Sequence, residues 1–219
     1  MKNYIFRDDV KKEFPIGKLV CLARTYKKHA QEMNSDIPKE PLLFLKPSSS
    51  VIFNGDKIKI PKMSNCIHHE VELGIVIGRR CKNISKKDAS SYILGYLVAL
   101  DITARDIQTK LKKRGWPWGI SKGFDTFAPI SDVVLKENVS NPQELDIKLK
   151  VNGEEKQSSN TKNMIFTIEE IIEYISTIMT LEPGDLIMTG TPEGVGEILS
   201  GDILEAQLGN ICSLKVFVE

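Results

Sequence analysis

The stretch His68-His69-Glu70-Val71-Glu72-Leu73-Gly74-Ile75-Val76-Ile77 decides how this chain is read. Side chains alternate across a strand, so His68, Glu70 and Glu72 share one face while His69, Val71 and Leu73 share the other. A strand that runs into Gly-Ile-Val-Ile is suited to burial, where two neighbouring carboxylates repel each other. Two readings fit: the glutamates are solvated, or a divalent cation relieves their repulsion. The next strand-like run, Tyr92 to Leu100, ends on Asp101, which either caps a following helix or adds a third ligand. Two glutamates and an aspartate form a hard, all-oxygen set suited to Mg2+ or Mn2+.

Around this stretch the texture is short β-runs broken by turns: Leu19 to Ala23, Leu42 to Lys46, Val51 to Phe53, Lys57 to Ile60, Leu145 to Val151, Leu186 to Thr189 and Leu214 to Val218. Asn152-Gly153 tolerates the positive φ values of a two-residue hairpin turn. The clearest helix is Ile168 to Met179, where isoleucines recur at helical spacing and Thr167 with Glu170 makes a capping box. Shorter helices are expected over Thr103 to Arg114, ending at Gly115, and over Tyr26 to Met33. Strands outnumber helices without βαβ alternation, so the expected class is α+β, strand-rich, with an antiparallel or mixed sheet.

The 219 residues suit a single domain, with no linker-like shift in composition. Thirty basic and twenty-nine acidic residues give a net charge of +1, which offers no global field for nucleic acid or an anionic membrane. The four cysteines are scattered, as expected of reduced thiols. The N-terminus has no apolar signal core and no apolar run reaches membrane-spanning length, so the expectation is a soluble, cytoplasmic protein.

Several constellations carry chemistry. Arg105 and Gln108 lie three residues apart on a helix beginning after Asp101, where they can grip a substrate carboxylate; alternatively they decorate its surface. His29 and Glu32 share that spacing. A carboxylate holding one imidazole nitrogen leaves the other free to take a proton, and the exit into Asn34-Ser35-Asp36-Ile37-Pro38 suits a flap; many such pairs merely face solvent. Lys46 ends an apolar strand and Lys122 stands in Ser121-Lys122-Gly123; either escapes to water or stabilises an anion. The turn Thr189-Gly190-Thr191-Pro192-Glu193-Gly194 lacks the Lys-Ser/Thr ending of a nucleotide loop, and its backbone N–H groups with the Thr191 hydroxyl suit a small carboxylate.

Taken together, YKKHAQEM (26–33), EPLLFLKPSSS (40–50), HHEVELGIVIGRR (68–80), GYLVALDITARDIQ (95–108), PWGISKGFDTFAP (117–129), LKVNGEEKQ (149–157), MIFTIEEIIEYIS (164–176) and LEPGDLIMTGTPEGVG (181–196) make the chain resemble the fumarylacetoacetate hydrolase family, and within it the short acylpyruvase and oxaloacetate decarboxylase members. The resemblance runs from about Lys18 to the C-terminus. It implies a mixed β-sandwich roll with a few short helices, one catalytic domain over 1–219 with an N-terminal extension at 1–17, and a homodimer. It implies Glu70, Glu72 and Asp101 as ligands of Mg2+ or Mn2+, with Ca2+ able to occupy the same set. It implies His29 with Glu32 as a lid dyad, Lys122 as a catalytic lysine, and Arg24, Lys46, Arg105, Gln108, Gly190 and Thr191 around the substrate. Where similar proteins often have Gly-Arg-Asn-Tyr or Gly-Leu-Asn-Tyr this chain has Ala23-Arg24-Thr25-Tyr26, and where they often have Ser or Ala it has Gly123; both changes flank the implied pocket.

The function this implies is metal-dependent C–C bond cleavage in a small 2-oxo acid through an enolate, as an acylpyruvate hydrolase, an oxaloacetate decarboxylase, or both. An oxaloacetate keto-enol tautomerase or dienedioate isomerase needs the same enolate stabilisation. A lysine aldolase using Lys122 and a non-catalytic binder of metal and dicarboxylate are the remaining alternatives.

Overall fold

Val71–Ile77 is buried along its whole length, because both faces of its sheet are covered. The structure, a computed structural model, describes residues 2–7, 13–32 and 36–219. The strand lies inside a six-stranded sheet whose spatial order is Val134–Leu135, Ile93–Leu100, Val71–Ile77, Leu186–Met188, Leu19–Ala23 and Leu42–Lys46. Leu19–Ala23 pairs with Leu186–Met188 in parallel and the other neighbours pair antiparallel, so the sheet is mixed.

One face packs on a five-stranded sheet ordered Glu154–Asn160, Asp146–Val151, Ile203–Leu208, Cys212–Val218 and Lys57–Ile58. Ile75, Ile77, Val98 and Leu100 meet Leu204, Ala206, Leu214 and Val216 there, and Ile171, Ile172 and Ile175 of the Ile168–Ile178 helix join the same core. On the other face Tyr4, Phe6 and Ile16 of the N-terminal extension cover Val76, Leu97, Leu186 and Met188. The result is the strand-rich α+β roll that the resemblance implies. Among the described residues, no helix is long and apolar enough to cross a membrane.

Three local expectations change. The helix expected from Thr103 begins at Arg105, because Thr103 and Ala104 first pair with Ile67 and His68 as a short strand. That pairing draws Asp101 out of any capping role, and the helix ends as expected at Gly115, whose φ is 66°. The helix expected over Tyr26 to Met33 is observed at Lys27–Glu32, with Met33 outside the described residues. Asn34 and Ser35 of the expected flap also lie outside them.

The Ile168–Ile178 helix shows the expected capping box. The Thr167 hydroxyl accepts from the Glu170 N–H at 3.3 Å, and the Glu170 carboxylate accepts from the Thr167 N–H at 2.8 Å. Thr167→Ala should therefore lower stability by about 1 kcal/mol, read as a melting temperature about 2–4 °C lower for a chain of this size. An unchanged melting temperature would show that the apolar face alone anchors this helix.

Candidate active site and metal centre

Strand register assembles the acidic cluster. Val71 pairs with Leu100, so Glu70 and Glu72, at the start of one strand, lie beside Asp101, just past the end of its antiparallel neighbour. The Asp101 N–H donates to the Glu70 carbonyl at 2.8 Å and continues the ladder. All three carboxylates are buried, and one oxygen from each lies within 4.8 Å of the others. Of the two readings of Glu70 and Glu72, the solvated one is therefore wrong for this fold.

Burial of three acids requires counter-charge, and the chain supplies much of it. Lys122, itself buried, donates to Glu70 Oε2 at 2.8 Å and also to Asp101. Arg105 pairs with Glu70 and donates to Gln108 Oε1 at 2.7 Å. Burial alone would raise the Glu70 pKa, but the Lys122 and Arg105 charges outweigh it and hold the group well below the ordinary carboxylate range. Lys122 responds in the opposite sense, held above the ordinary ammonium value against its burial by Asp101 and Glu70.

Glu72 differs. It has no ion-pair partner among the described residues and accepts only the Gly190 N–H, at 2.7 Å. Burial first, then the Asp101 and Glu70 charges, push its pKa well above the ordinary value. A buried acid short of positive charge, beside two others and open to a cavity, fits a hard divalent cation. The donor set is all oxygen, the kind that Mg2+ and Mn2+ prefer.

The cavity over this cluster is lined by Leu22, Ala23, Arg24, His29, Phe44, Glu70, Glu72, Arg105, Gln108, Lys112, Trp118, Lys122 and Thr191. Seven of the residues singled out from sequence on chemical grounds or by resemblance thus meet in one wall besides Glu70 and Glu72: Arg24, His29, Arg105, Gln108, Lys122 and Thr191 directly, and Asp101 through Lys122. Arg24 follows the Leu19–Ala23 strand with φ 59°, a left-handed conformation that non-glycine residues adopt rarely and often at sites of function. His29 Nδ1 lies 3.2 Å from Glu32 Oε2. A carboxylate can only accept, so Nδ1 carries the hydrogen and Nε2 is left as the basic nitrogen.

Two residues implied around the substrate have their polar groups engaged within the protein. Lys46 is buried, donating to Asp101 Oδ1 at 2.6 Å and to the Ile102 carbonyl at 3.1 Å. Its charge is taken by the acid. In the turn whose backbone N–H groups suit a small carboxylate, the Gly190 N–H donates to Glu72 and the Gly194 N–H to Glu32 at 3.1 and 3.3 Å. Gly190 has φ 90°, and a Cβ there would lie 2.1 Å from Thr25 Oγ1, so only glycine fits.

Sequence reasoning missed Phe44, Lys112 and Trp118. Lys112 lies four residues after Gln108 and seven after Arg105, on one helix face, a spacing that could have revealed it. Its ammonium stands 5.0 Å over the Trp118 ring. Burial first, then the Arg105 and Arg24 charges, lower its pKa to about 8. Neither Lys112 nor Arg24 is paired with a carboxylate among the described residues.

Because Lys46 serves Asp101, Lys46→Met should act mainly on the fold. Removing one member of a buried pair leaves an uncompensated charge that typically costs about 3 kcal/mol or more, measurable by urea unfolding. A variant as stable as the wild type but with a raised KM would return Lys46 to the substrate.

Residues 18–219 match the fumarylacetoacetate (FAA) hydrolase C-terminal family. The chain is 48% identical over 202 residues to the mitochondrial oxaloacetate tautomerase FAHD1 of Arabidopsis thaliana, covering 92% of this chain and 91% of the relative. Its fold superposes on the crystal structure of fumarylpyruvate hydrolase from Pseudomonas aeruginosa in complex with Mn2+ and pyruvate, with a TM-score of 0.94, 34% identity, and coverage of 98% of this chain and 94% of that one. It is likewise similar to 2-hydroxyhepta-2,4-diene-1,7-dioate isomerase from Mycobacterium marinum, with a TM-score of 0.83, 38% identity, and coverage of 94% and 75%. With the match spanning nearly the whole chain and the buried acidic cluster in place, the chain belongs to the fumarylacetoacetate hydrolase family.

Proposed function

We propose that residues 1–219 form one catalytic domain, acting as a homodimer, that binds a divalent cation through Glu70, Glu72 and Asp101 and transforms a small 2-oxo acid through its enolate. The observation that carries this is a cavity lined by two buried carboxylates, Glu70 and Glu72, with Asp101 clustered beside them, a buried lysine between Glu70 and Asp101, and a histidine whose free nitrogen is set by a carboxylate. Mg2+ or Mn2+ in that set would supply Lewis-acid polarisation of the substrate's 2-oxo group.

The chain's own residues divide the remaining work. Arg105, Gln108 and Thr191 hold the carboxylate next to the 2-oxo carbon. Arg24 and Lys112, unpaired and positive, favour a second acidic group at the far end of the substrate, so a dicarboxylic 2-oxo acid suits the cavity best. His29, oriented by Glu32, takes a proton from water, and the water oxygen attacks the distal carbonyl. The C–C bond breaks, its electron pair passes to the enolate of pyruvate, and Lys122 stabilises the oxygen on which negative charge grows.

A second reading has specific support. The relative 48% identical to this chain is an oxaloacetate tautomerase. Keto-enol exchange needs the same enolate stabilisation, with His29 moving a proton between carbon and oxygen of the substrate. Decarboxylation of oxaloacetate needs the enolate stabilisation without the hydrolytic water.

Acetylpyruvate, fumarylpyruvate and both oxaloacetate tautomers, incubated with Mg2+ or Mn2+, separate these readings by product. Hydrolysis yields pyruvate and a second acid, decarboxylation yields pyruvate and CO2, and tautomerisation conserves substrate mass. EDTA should abolish turnover and added Mg2+ or Mn2+ should restore it; full turnover by metal-stripped protein would remove the central claim.

Lys122→Met should lower kcat by about 10² to 10³, the usual cost of losing one donor to a developing oxyanion, with a smaller change in KM. An unchanged kcat on every substrate would leave Lys122 as a counter-ion for Glu70 and Asp101 only.

A further inference from the structure

One polar side chain reaches the cavity wall from the second sheet. Gln157 lies on the Glu154–Asn160 strand and is 1% exposed. Its Oε1 accepts from the Val71 N–H at 3.0 Å and from His69 Nδ1 at 3.0 Å. Its Nε2 donates to the Pro192 carbonyl at 3.0 Å and to Thr191 Oγ1 at 2.8 Å. The orientation of such an amide is normally ambiguous, but here the backbone fixes it from both ends. The Val71 N–H can only donate and so must meet oxygen. The Pro192 carbonyl can only accept and so must meet nitrogen.

The consequence falls on Thr191. A hydroxyl has one hydrogen to donate and lone pairs to accept. Gln157 Nε2 occupies a lone pair of Oγ1, so Thr191 must direct its hydrogen elsewhere. No described residue accepts it, and Thr191 lines the cavity. Were residue 157 an acceptor instead, the hydroxyl would turn its hydrogen back into the wall and present lone pairs to the ligand. A lone pair facing a carboxylate repels it.

We propose that Gln157 is a positioning residue that sets Thr191 as a hydrogen-bond donor to the anionic substrate, and that this amide, rather than Thr191 alone, gives the loop its preference for a carboxylate. The inference rests on the 2-oxo acid reading above. Gln157 touches neither substrate nor metal ligand side chain; it acts through Thr191 and through the backbone of Val71, between Glu70 and Glu72. The hydrogen bonds on the Oε1 side serve the strand, and those on the Nε2 side serve the loop. The two roles can be separated by substitution.

Gln157→Glu is nearly isosteric and keeps an acceptor for Val71 and His69 while removing both donations to the loop. With Mn2+ present, calorimetric titration of pyruvate and of oxalate into wild type, Gln157→Glu, Thr191→Val and the double variant tests the proposal. Each single variant should weaken binding about tenfold, and the double variant should bind no worse than Thr191→Val, because with the acceptor for Val71 retained the lost donation reaches the anion through that hydroxyl. Steady-state kinetics should show the loss mainly in KM. Gln157→Met, which carries no donor and no charge but also loses the acceptor for Val71 and His69, should show the same dependence on Thr191 on top of any loss that comes from the strand. Circular dichroism and the melting temperature identify a variant that does not fold, in which case the other one carries the cycle.

Additive losses in the double variant, or a Gln157→Glu protein that binds both anions as tightly as the wild type, would overturn the role of Gln157 while leaving the 2-oxo acid reading intact. Wild-type protein that binds neither anion would overturn both.

Discussion

Three carboxylates held within a few ångströms of one another and away from water set the terms for the rest of this structure. Each would be costly to bury alone, and together they repel. Lys46, Lys122 and Arg105 answer Glu70 and Asp101 directly, which is why two lysines that could have escaped to solvent are almost wholly buried. Glu72 is left with a single backbone donor. Glu72 lines the cavity, so the shortfall of positive charge faces the space over the cluster. A cation bound by these oxygens would be part of the same balance.

The turn at Gly190 and Gly194 extends that balance to His29 and Glu32. One of its N–H groups orients Glu72 and another orients Glu32, so an acid of the buried cluster and the acid behind His29 are aligned by residues four apart in sequence. This explains why the glycine-rich sequence gives no nucleotide loop despite its appearance. Its amides are directed at the protein's own carboxylates, and the side chain of Thr191 is what remains for a ligand.

Much of this was legible before any coordinates. Leu19–Ala23, Leu42–Lys46 and Val71–Ile77 were read with their observed bounds, because apolar alternation and turn residues agree there. The acidic cluster followed from strand parity and the abrupt Asp101. Other elements carried weaker signals. Glu154–Asn160 is a polar strand with no alternating apolar face, built because the Asn152-Gly153 turn returns the chain along its partner. Ile203–Leu208 does alternate, with Leu204, Ala206 and Leu208 inward, so its signal is present in the sequence. Gln157 carries no local sign of its role, since its partners lie 86 and 34 residues away along the chain. The direction of Lys46 was likewise invisible, because the choice between solvent, substrate and Asp101 is made by packing and not by its neighbours in sequence.

Thr25 occupies the space that a side chain on Gly190 would need, and its hydroxyl donates to the Thr189 carbonyl at 2.6 Å. A side chain at 190 therefore cannot be accommodated while Thr25 keeps its place. Because the Gly190 amide aligns Glu72, a change at Thr25 that shifts this backbone would reach the acidic cluster as well as the cavity beside Ala23 and Arg24. For protein engineering, position 25 and the glycine turn are best varied together, since a side chain at 190 first needs space made at 25.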